Sequence, residues 1–191
     1  MPLNIKDELC RKLRVGRANM MANLEDLGEY DLRRPLTPTG TNLLRLVKHL
    51  ASLEYGYLGD CLGHPPREKL SWMEDGSVGA GADVWALPSE SSADVIGLYG
   101  RACAHADATI AELDLDSAAH VPWWSDQNTT LGVLLIRMVA ETAQHAGHAD
   151  IVRELIDGRA GNTEDPLGDD AAFWGRFMAQ VCDAAEEFKA G

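Results

Sequence analysis

Glu141, His145 and His148 are the residues whose types and spacing point most directly to chemistry. They stand in the run Glu141-Thr-Ala-Gln-His145-Ala-Gly-His148-Ala-Asp150, within a stretch from Thr129 to Gly158 that reads as one long helix. At about 3.6 residues per turn, the three fall within about 60° of one another. Leu134, Met138, Val152 and Leu155 extend the same stripe. The side of this helix expected to face the core therefore carries a carboxylate and two imidazoles at its centre. Burying such groups is costly unless they are paired or bound to a metal.

Glu141 and His145 are four residues apart and can meet at one point on a helix surface, as two ligands of one ion do. His148 could substitute. All three on one ion would be strained, because Glu141 and His148 are separated by roughly 10.5 Å along the axis. Two of them plus a group from another helix is the natural solution, and His49, mid-way along the second predicted helix, is the third candidate. Three protein ligands from facing helices leave positions open for water or substrate, which is the catalytic pattern. Plainer roles stand beside this one. Glu141 could pair with Arg137, His145 and His148 could bond loop carbonyls or face solvent, and His49 could be a satisfied edge histidine. The set could also form a hydrogen-bonded network without metal. Asp150 reads as a solvated or helix-pairing charge.

The elements that must position these groups follow from periodicity and punctuation. Leu3 to Leu27 is predicted as helix one, with Leu9, Leu13, Met20, Leu24 and Leu27 inward and Gly28 as the stop. A connection with two prolines, Tyr30 to Gly40, leads to helix two, Thr41 to Leu62, capped by Thr39 or Thr41. Leu46, Leu50, Leu53 and Tyr57 form its core stripe, with His49 at the edge. Pro65 to Pro88 reads as a long irregular crossover holding Trp72, Trp85 and a glycine-rich run, Gly76 to Gly81, that has no lysine and no phosphate-loop spacing. Ser91-Ser92 caps helix three, which runs to Leu113. In the loop Asp114 to Asn128, the adjacent Trp123 and Trp124 cannot share one face, so one is expected to pack on the core and the other to line an opening. Helix four starts at Thr129 or Thr130 and ends at Gly158 in C-cap position. A linker to Pro166 and a last amphipathic helix, Asp169 to Lys189, follow, with Phe173, Phe177, Val181 and Phe188 in its stripe. No strand is convincing. The expected fold is all-α: a four-helix bundle over 1–158 with a long helix 2–3 crossover, and a linker and extra C-terminal helix over 159–191 packed on the same domain.

Composition narrows the function. The chain has 191 residues and a net charge of −13, from 17 Lys+Arg against 30 Asp+Glu. Such a surface repels phosphate backbones and anionic membrane, and no local basic run compensates, so no nucleic acid or membrane partner is expected. Cys10, Cys61, Cys103 and Cys182 form no CxxC pair and read as ordinary thiols in a reducing compartment. With no apolar leader and no window near the ~18 apolar residues of a membrane span, a cytoplasmic protein is expected.

The segments Leu43-Leu-Arg-Leu-Val-Lys-His49-Leu-Ala-Ser-Leu-Glu54, Val121-Pro-Trp-Trp124 and Glu141 to Gly158 resemble the DinB superfamily, and more narrowly its actinobacterial branch. The resemblance runs from helix one through Gly158. It implies a four-helix bundle and a divalent metal held by one histidine from helix two and two ligands four apart on helix four. Those last two are histidines in much of the superfamily; here the first is Glu141, as in the similar mycothiol-dependent maleylpyruvate isomerase. Carried over by position, the ligands are His49, Glu141 and His145, with His148 as a pocket residue that orients a ligand or relays a proton. The implied activity is a thiol-dependent transfer or isomerisation of a small-molecule substrate, using mycothiol or another low-molecular-weight thiol, with Trp123, Trp124 and Trp85 walling the pocket. A metal-dependent hydrolase, or a metal- or ligand-binding stress protein without turnover, are the alternatives. Two imidazoles and a carboxylate suit Zn or Ni first, and also Fe or Mn. Relatives are often dimers, so a homodimer is compatible with the resemblance.

Overall fold

The computed structural model describes residues 4–159 and 170–189. Four long helices dominate. α1 is Ile5–Ala22, α3 Leu43–Leu58, α5 Ser92–Glu112 and α6 Leu131–Asp157, joined by the short α2 (Glu29–Arg33) and α4 (Ser71–Glu74). α1 lies against α6, and α3 against both α5 and α6. This is the expected helical bundle with a long crossover between α3 and α5. Among the described residues, no helix is long and apolar enough to cross a membrane.

Capping chemistry sets most boundaries. The side chains of Asn4, Asn42 and Ser91 accept hydrogen bonds from Lys6 N, Arg45 N and Asp94 N, which opens α1, α3 and α5. α3 therefore starts at Asn42 rather than at a threonine. It stops at Gly59, four residues short of expectation, where an added Cβ would sit 2.5 Å from the Tyr55 carbonyl oxygen and 3.1 Å from His105. A single 3₁₀ turn, Asp60–Leu62, carries the chain on. α1 also ends early, at Ala22, and Gly28 opens α2 instead of stopping the first helix. The expected starts at Leu3 and Asp169, and most of the linker to Pro166, lie outside the described residues.

The all-α class holds, with one addition to the expected elements, a pair of short strands. β1 (Ala118–His120) pairs antiparallel with β2 (Asn128–Thr130), in the register Ala118 to Thr130. Three residues per strand are too few for alternation to show in sequence. The hairpin's lead-in also serves α6. The Leu115 and Ser117 carbonyls accept from Gly132 N and Leu131 N, satisfying helix-start donors that no side chain caps.

The core has two apolar clusters. Along α6, one takes residues from Leu131 to Val139 and the other from Ala146 to Ile156. Glu141, Thr142 and His145 fall in the gap. The buried residues Met138, Thr142, Ala146, Ala149 and Val152 place the centre of the buried face about 80° round from Glu141. Glu141 and His148 therefore lie at or beyond the edge of the core stripe, while His145, about 40° from its centre, lies within it. Leu155, beyond that edge, is 57% exposed rather than core-facing.

A buried ion network ties the helices together. Arg17 on α1 donates to both carboxylate oxygens of Glu54 on α3, at 2.7 Å each, and to Asp107 on α5 at 2.6 Å. Asp150 joins α6 to α1 by accepting from Asn23 at 2.7 Å. Arg153, also buried, donates to the Asn23 and Glu25 carbonyls at the end of α1. The last helix, α7 (Ala171–Glu186), belongs to a separate compact unit. Within it, Asp170 caps the helix, and the rings of Phe173, Trp174 and Phe177 pack together with centroids 5.2–5.9 Å apart.

Candidate metal centre

His49 projects from the middle of α3, and its Nδ1 lies 2.6 Å from Asp83 Oδ2 of the crossover. A carboxylate only accepts, so Nδ1 carries the hydrogen, and in the neutral ring Nε2 is the nitrogen with the lone pair. That is the arrangement in which a histidine ligates a metal: the far nitrogen is oriented by a carboxylate. Asp83 is buried (4% exposed), while His49 is half-buried. The crossover is fixed to α3 beside it. Buried Lys48 donates to the Trp85 carbonyl at 3.0 Å and to Glu90 at 2.9 Å, with its ammonium 4.2 Å from the centre of the Trp72 ring. Trp72 donates in turn to Ser52 Oγ at 2.9 Å.

α6 brings its two groups to the same place. The His49 and His145 ring centroids are 5.2 Å apart, edge to face. His145 Nε2 lies 3.7 Å from Glu141 Oε2, and the other oxygen of Glu141 pairs with Arg137 at 3.0 Å. The plain Arg137 pairing is thus present, and it leaves one carboxylate oxygen facing the histidine. His145 Nδ1 is buried with no hydrogen-bond partner. Burial pushes the His145 imidazole down to about 4; the charges of His49, His148 and Arg45 act in the same direction, and Glu141 opposes them. The neutral form is the one that ligates metals. His148 is exposed, its ring centroid 5.6 Å from that of His145.

The types of donor present suit a divalent ion. Two imidazoles and a carboxylate come from facing helices, one imidazole has its second nitrogen oriented, and the other has a buried nitrogen with no partner. Among the described residues, no group of three His, Cys, Asp or Glu side chains is placed to hold a metal ion as it stands; His49 borders His145, and His145 borders Glu141, without converging.

His49 stands between two chambers. A cavity of about 380 Å³ opens on one side, lined by Ser52, Gly56, Tyr57, Met73, Asp83 and Trp123 among others. A second, of about 350 Å³, is lined by Thr41, Arg45, Val84, His145 and His148, with His49 common to both. The indole nitrogens of Trp123 and Trp124 both donate to the Tyr57 hydroxyl, at 3.1 and 3.3 Å. Trp123 is 55% exposed and walls the larger chamber, whereas Trp124 packs against the core. Trp85 lines neither chamber; its backbone carbonyl serves Lys48. Asp83, Lys48 and Gly56 were not among the expected site residues, and Tyr57 was expected only in the core stripe of its helix. Signals existed for two of them: Lys48 is a lysine among apolar neighbours on α3, and Gly56 is a glycine in the interior of that helix.

A profile of the mycothiol S-transferase family matches residues 8–158. No curated protein matches the chain. Among solved structures, a conserved protein of Enterococcus faecalis is similar over 82% of this chain and 99% of its own, with a TM-score of 0.63 and 12% identity, a likeness of fold alone. The family profile takes in α1 from residue 8, all of α3, α5 and α6, and His49, Glu141, His145 and His148, and the chain belongs to the mycothiol S-transferase family, a DinB-like family.

Proposed function

We propose that the protein is a divalent-metal-dependent transferase that joins the sulfur of mycothiol, or a thiol like it, to an electrophilic small molecule. The observation that carries this reading is the juxtaposition of His49, with Nδ1 bonded to buried Asp83, and neutral His145 beside Glu141, at the wall shared by two chambers. In this reading His49, Glu141 and His145 hold the ion. When bound, Zn or Ni (or Fe or Mn) would supply the positive charge that lowers a thiol's pKa and favours its thiolate.

The chain's own thiols are poor substitutes for an external one. Burial pushes Cys61 up to about 11 and Cys103 up to about 12, and raises Cys10 as well, so these groups stay protonated near neutrality. Neither chamber is lined by a cysteine. The nucleophile is therefore read as a co-substrate. His148, exposed at the second chamber, accepts the thiol proton and passes it to solvent. Asp83 holds the His49 tautomer, and Trp123 with Tyr57 forms one wall for the acceptor. In an addition, the sulfur forms a bond to the electrophilic carbon, the π pair moves to the neighbouring carbon, and a proton equal to the one lost by the thiol ends there. No other group leaves.

The test is thiol consumption with a model electrophile such as a chloro-dinitrobenzene, using metal-loaded protein, chelator-stripped protein and His49→Ala. In that displacement the thiol proton and chloride are released. Transfer above the uncatalysed rate only in the loaded wild type is expected. Equal rates in all three would overturn the reading.

A further inference from the structure

The larger chamber differs from its neighbour in a way that names what it takes. Leu53, Met73 and Val78 give it an aliphatic lining, and Tyr57 and Trp123 stand together as an aromatic corner, their ring centroids 5.4 Å apart at 64°. Ser52, Asp83 and His49 supply polar groups to the wall, with His49 bonded to Asp83, and the Tyr57 hydroxyl is taken up by the Trp123 and Trp124 indoles. No lysine or arginine lines it. The charged group that does is the buried Asp83, which an anion entering the chamber would meet with no lysine or arginine of the lining to offset it. The second chamber carries the cation, Arg45, together with Thr41, His145 and His148.

The space itself depends on one residue. Gly56 lies in the interior of α3, where glycine weakens a helix by up to ~1 kcal/mol relative to alanine. A Cβ there would meet only the tip of Met73 and the far edge of the Trp123 indole, each at 3.9 Å. Backbone packing therefore does not demand the glycine: alanine fits in ordinary contact. A longer side chain would extend between Met73 and Trp123 into the chamber. Gly56 is seven residues, about two turns, beyond His49, so it shares that residue's face of the helix.

We infer that the chamber between α3, the crossover and Trp123 is the acceptor site, that it takes an uncharged, ring-bearing apolar electrophile, and that Gly56 keeps it open. This rests on the transferase reading only in naming the occupant an electrophile; the binding preference stands on the lining alone. Division of labour follows. The polar co-substrate enters beside Arg45 and His148, the apolar one beside Trp123, and they meet at His49.

The test compares 1-naphthol with 1-naphthoate, two probes of similar shape that differ in charge, by tryptophan fluorescence titration and calorimetry. The samples are wild type, Gly56→Ala, Gly56→Leu and Trp123→Ala, with metal content and circular dichroism recorded on each. The expected result is that naphthol binds wild type and Gly56→Ala alike, at least tenfold tighter than naphthoate. Gly56→Leu should lose at least tenfold in naphthol affinity while remaining folded and keeping its metal. Should Gly56→Leu fail to fold, Trp123→Ala, altered at a largely exposed side chain, carries the same expectation by calorimetry. Naphthoate binding as well as naphthol, no binding of either to wild type, or naphthol affinity unmoved in the folded variants would each overturn the inference. Metal content read on the same samples separates such a failure from failure of the metal centre.

Discussion

Replacing Asp83 probes the one hydrogen bond that ties the crossover to the centre. The bond to His49 Nδ1 is short, 2.6 Å, and its acceptor side chain is only 6% exposed, so water cannot readily replace the carboxylate. A charge-assisted bond of this kind contributes about 1.5–3 kcal/mol. Removing a carboxylate that orients a ligating histidine weakens metal binding by about 10–100-fold, or about 1.4–2.7 kcal/mol, which is the same range. Asp83→Ala should therefore lower affinity by that factor, since His49 loses both its orientation and the partner that fixes its tautomer. Asp83→Asn keeps an oxygen that can accept from Nδ1 but not the charge, so its loss should be about tenfold or less. The assay is competition between metal-free protein and a chromophoric chelator for Zn or Ni, with thermal melts confirming that the crossover stays docked through Lys48. Folded Asp83→Ala that matches wild-type affinity within about threefold would refute the reasoning, because the predicted loss starts at about tenfold.

Two further outcomes concern stability. Arg17→Ala leaves Glu54 buried without its cation, and burial already raises that carboxyl, so the substitution should destabilise by about 3–5 kcal/mol and lower Tm by about 6–20 °C, read by calorimetry. The paired change Arg17→Met with Glu54→Leu should lose less, and the reverse order would count against the network. Glu29 accepts from Ser92 and Arg33, joining α2 to the start of α5, and these bonds lower its carboxyl from 4.5 to about 2. Between those values the unfolded chain binds more protons than the folded one, so this contribution is present above about pH 4.5 and lost as pH falls towards 2. Glu29→Gln should flatten that limb of an acid-denaturation profile, and an unchanged limb would contradict the assignment.

How much of this was legible in the sequence depends on the range of the interaction concerned. Ser91 and Gly158 mark the ends of α5 and α6 because a cap is a local bond: Ser91 accepts from Asp94 N, and Gly158 takes φ +79° where a side chain would be strained. His49 stood out because it lies midway along its helix, opposite the histidines of the fourth, and within a segment that resembles the DinB superfamily. Asp83 did not, because it lies in a crossover with no period and meets His49 thirty-four residues away along the chain. The stripe on α6 was misplaced by a fraction of a turn. Thr142, which Gly16 of α1 approaches closely, and the small Ala146 and Ala149 face the core, while bulky Leu155 faces out. Side-chain size misled the reading of which face is buried. The β1–β2 hairpin was invisible because its pairing, and not its composition, makes it a strand pair.

The most direct measurement is metal content on untagged protein by inductively coupled plasma mass spectrometry, for wild type, His49→Ala and His145→Ala, each after equilibration with Zn, Ni, Fe or Mn and removal of excess ion. The expected result is about one ion per chain in wild type, lost in both variants while their helical circular dichroism is retained. Wild type that takes up none of the four ions, or variants that hold metal as wild type does, would contradict a centre built from His49, Glu141 and His145.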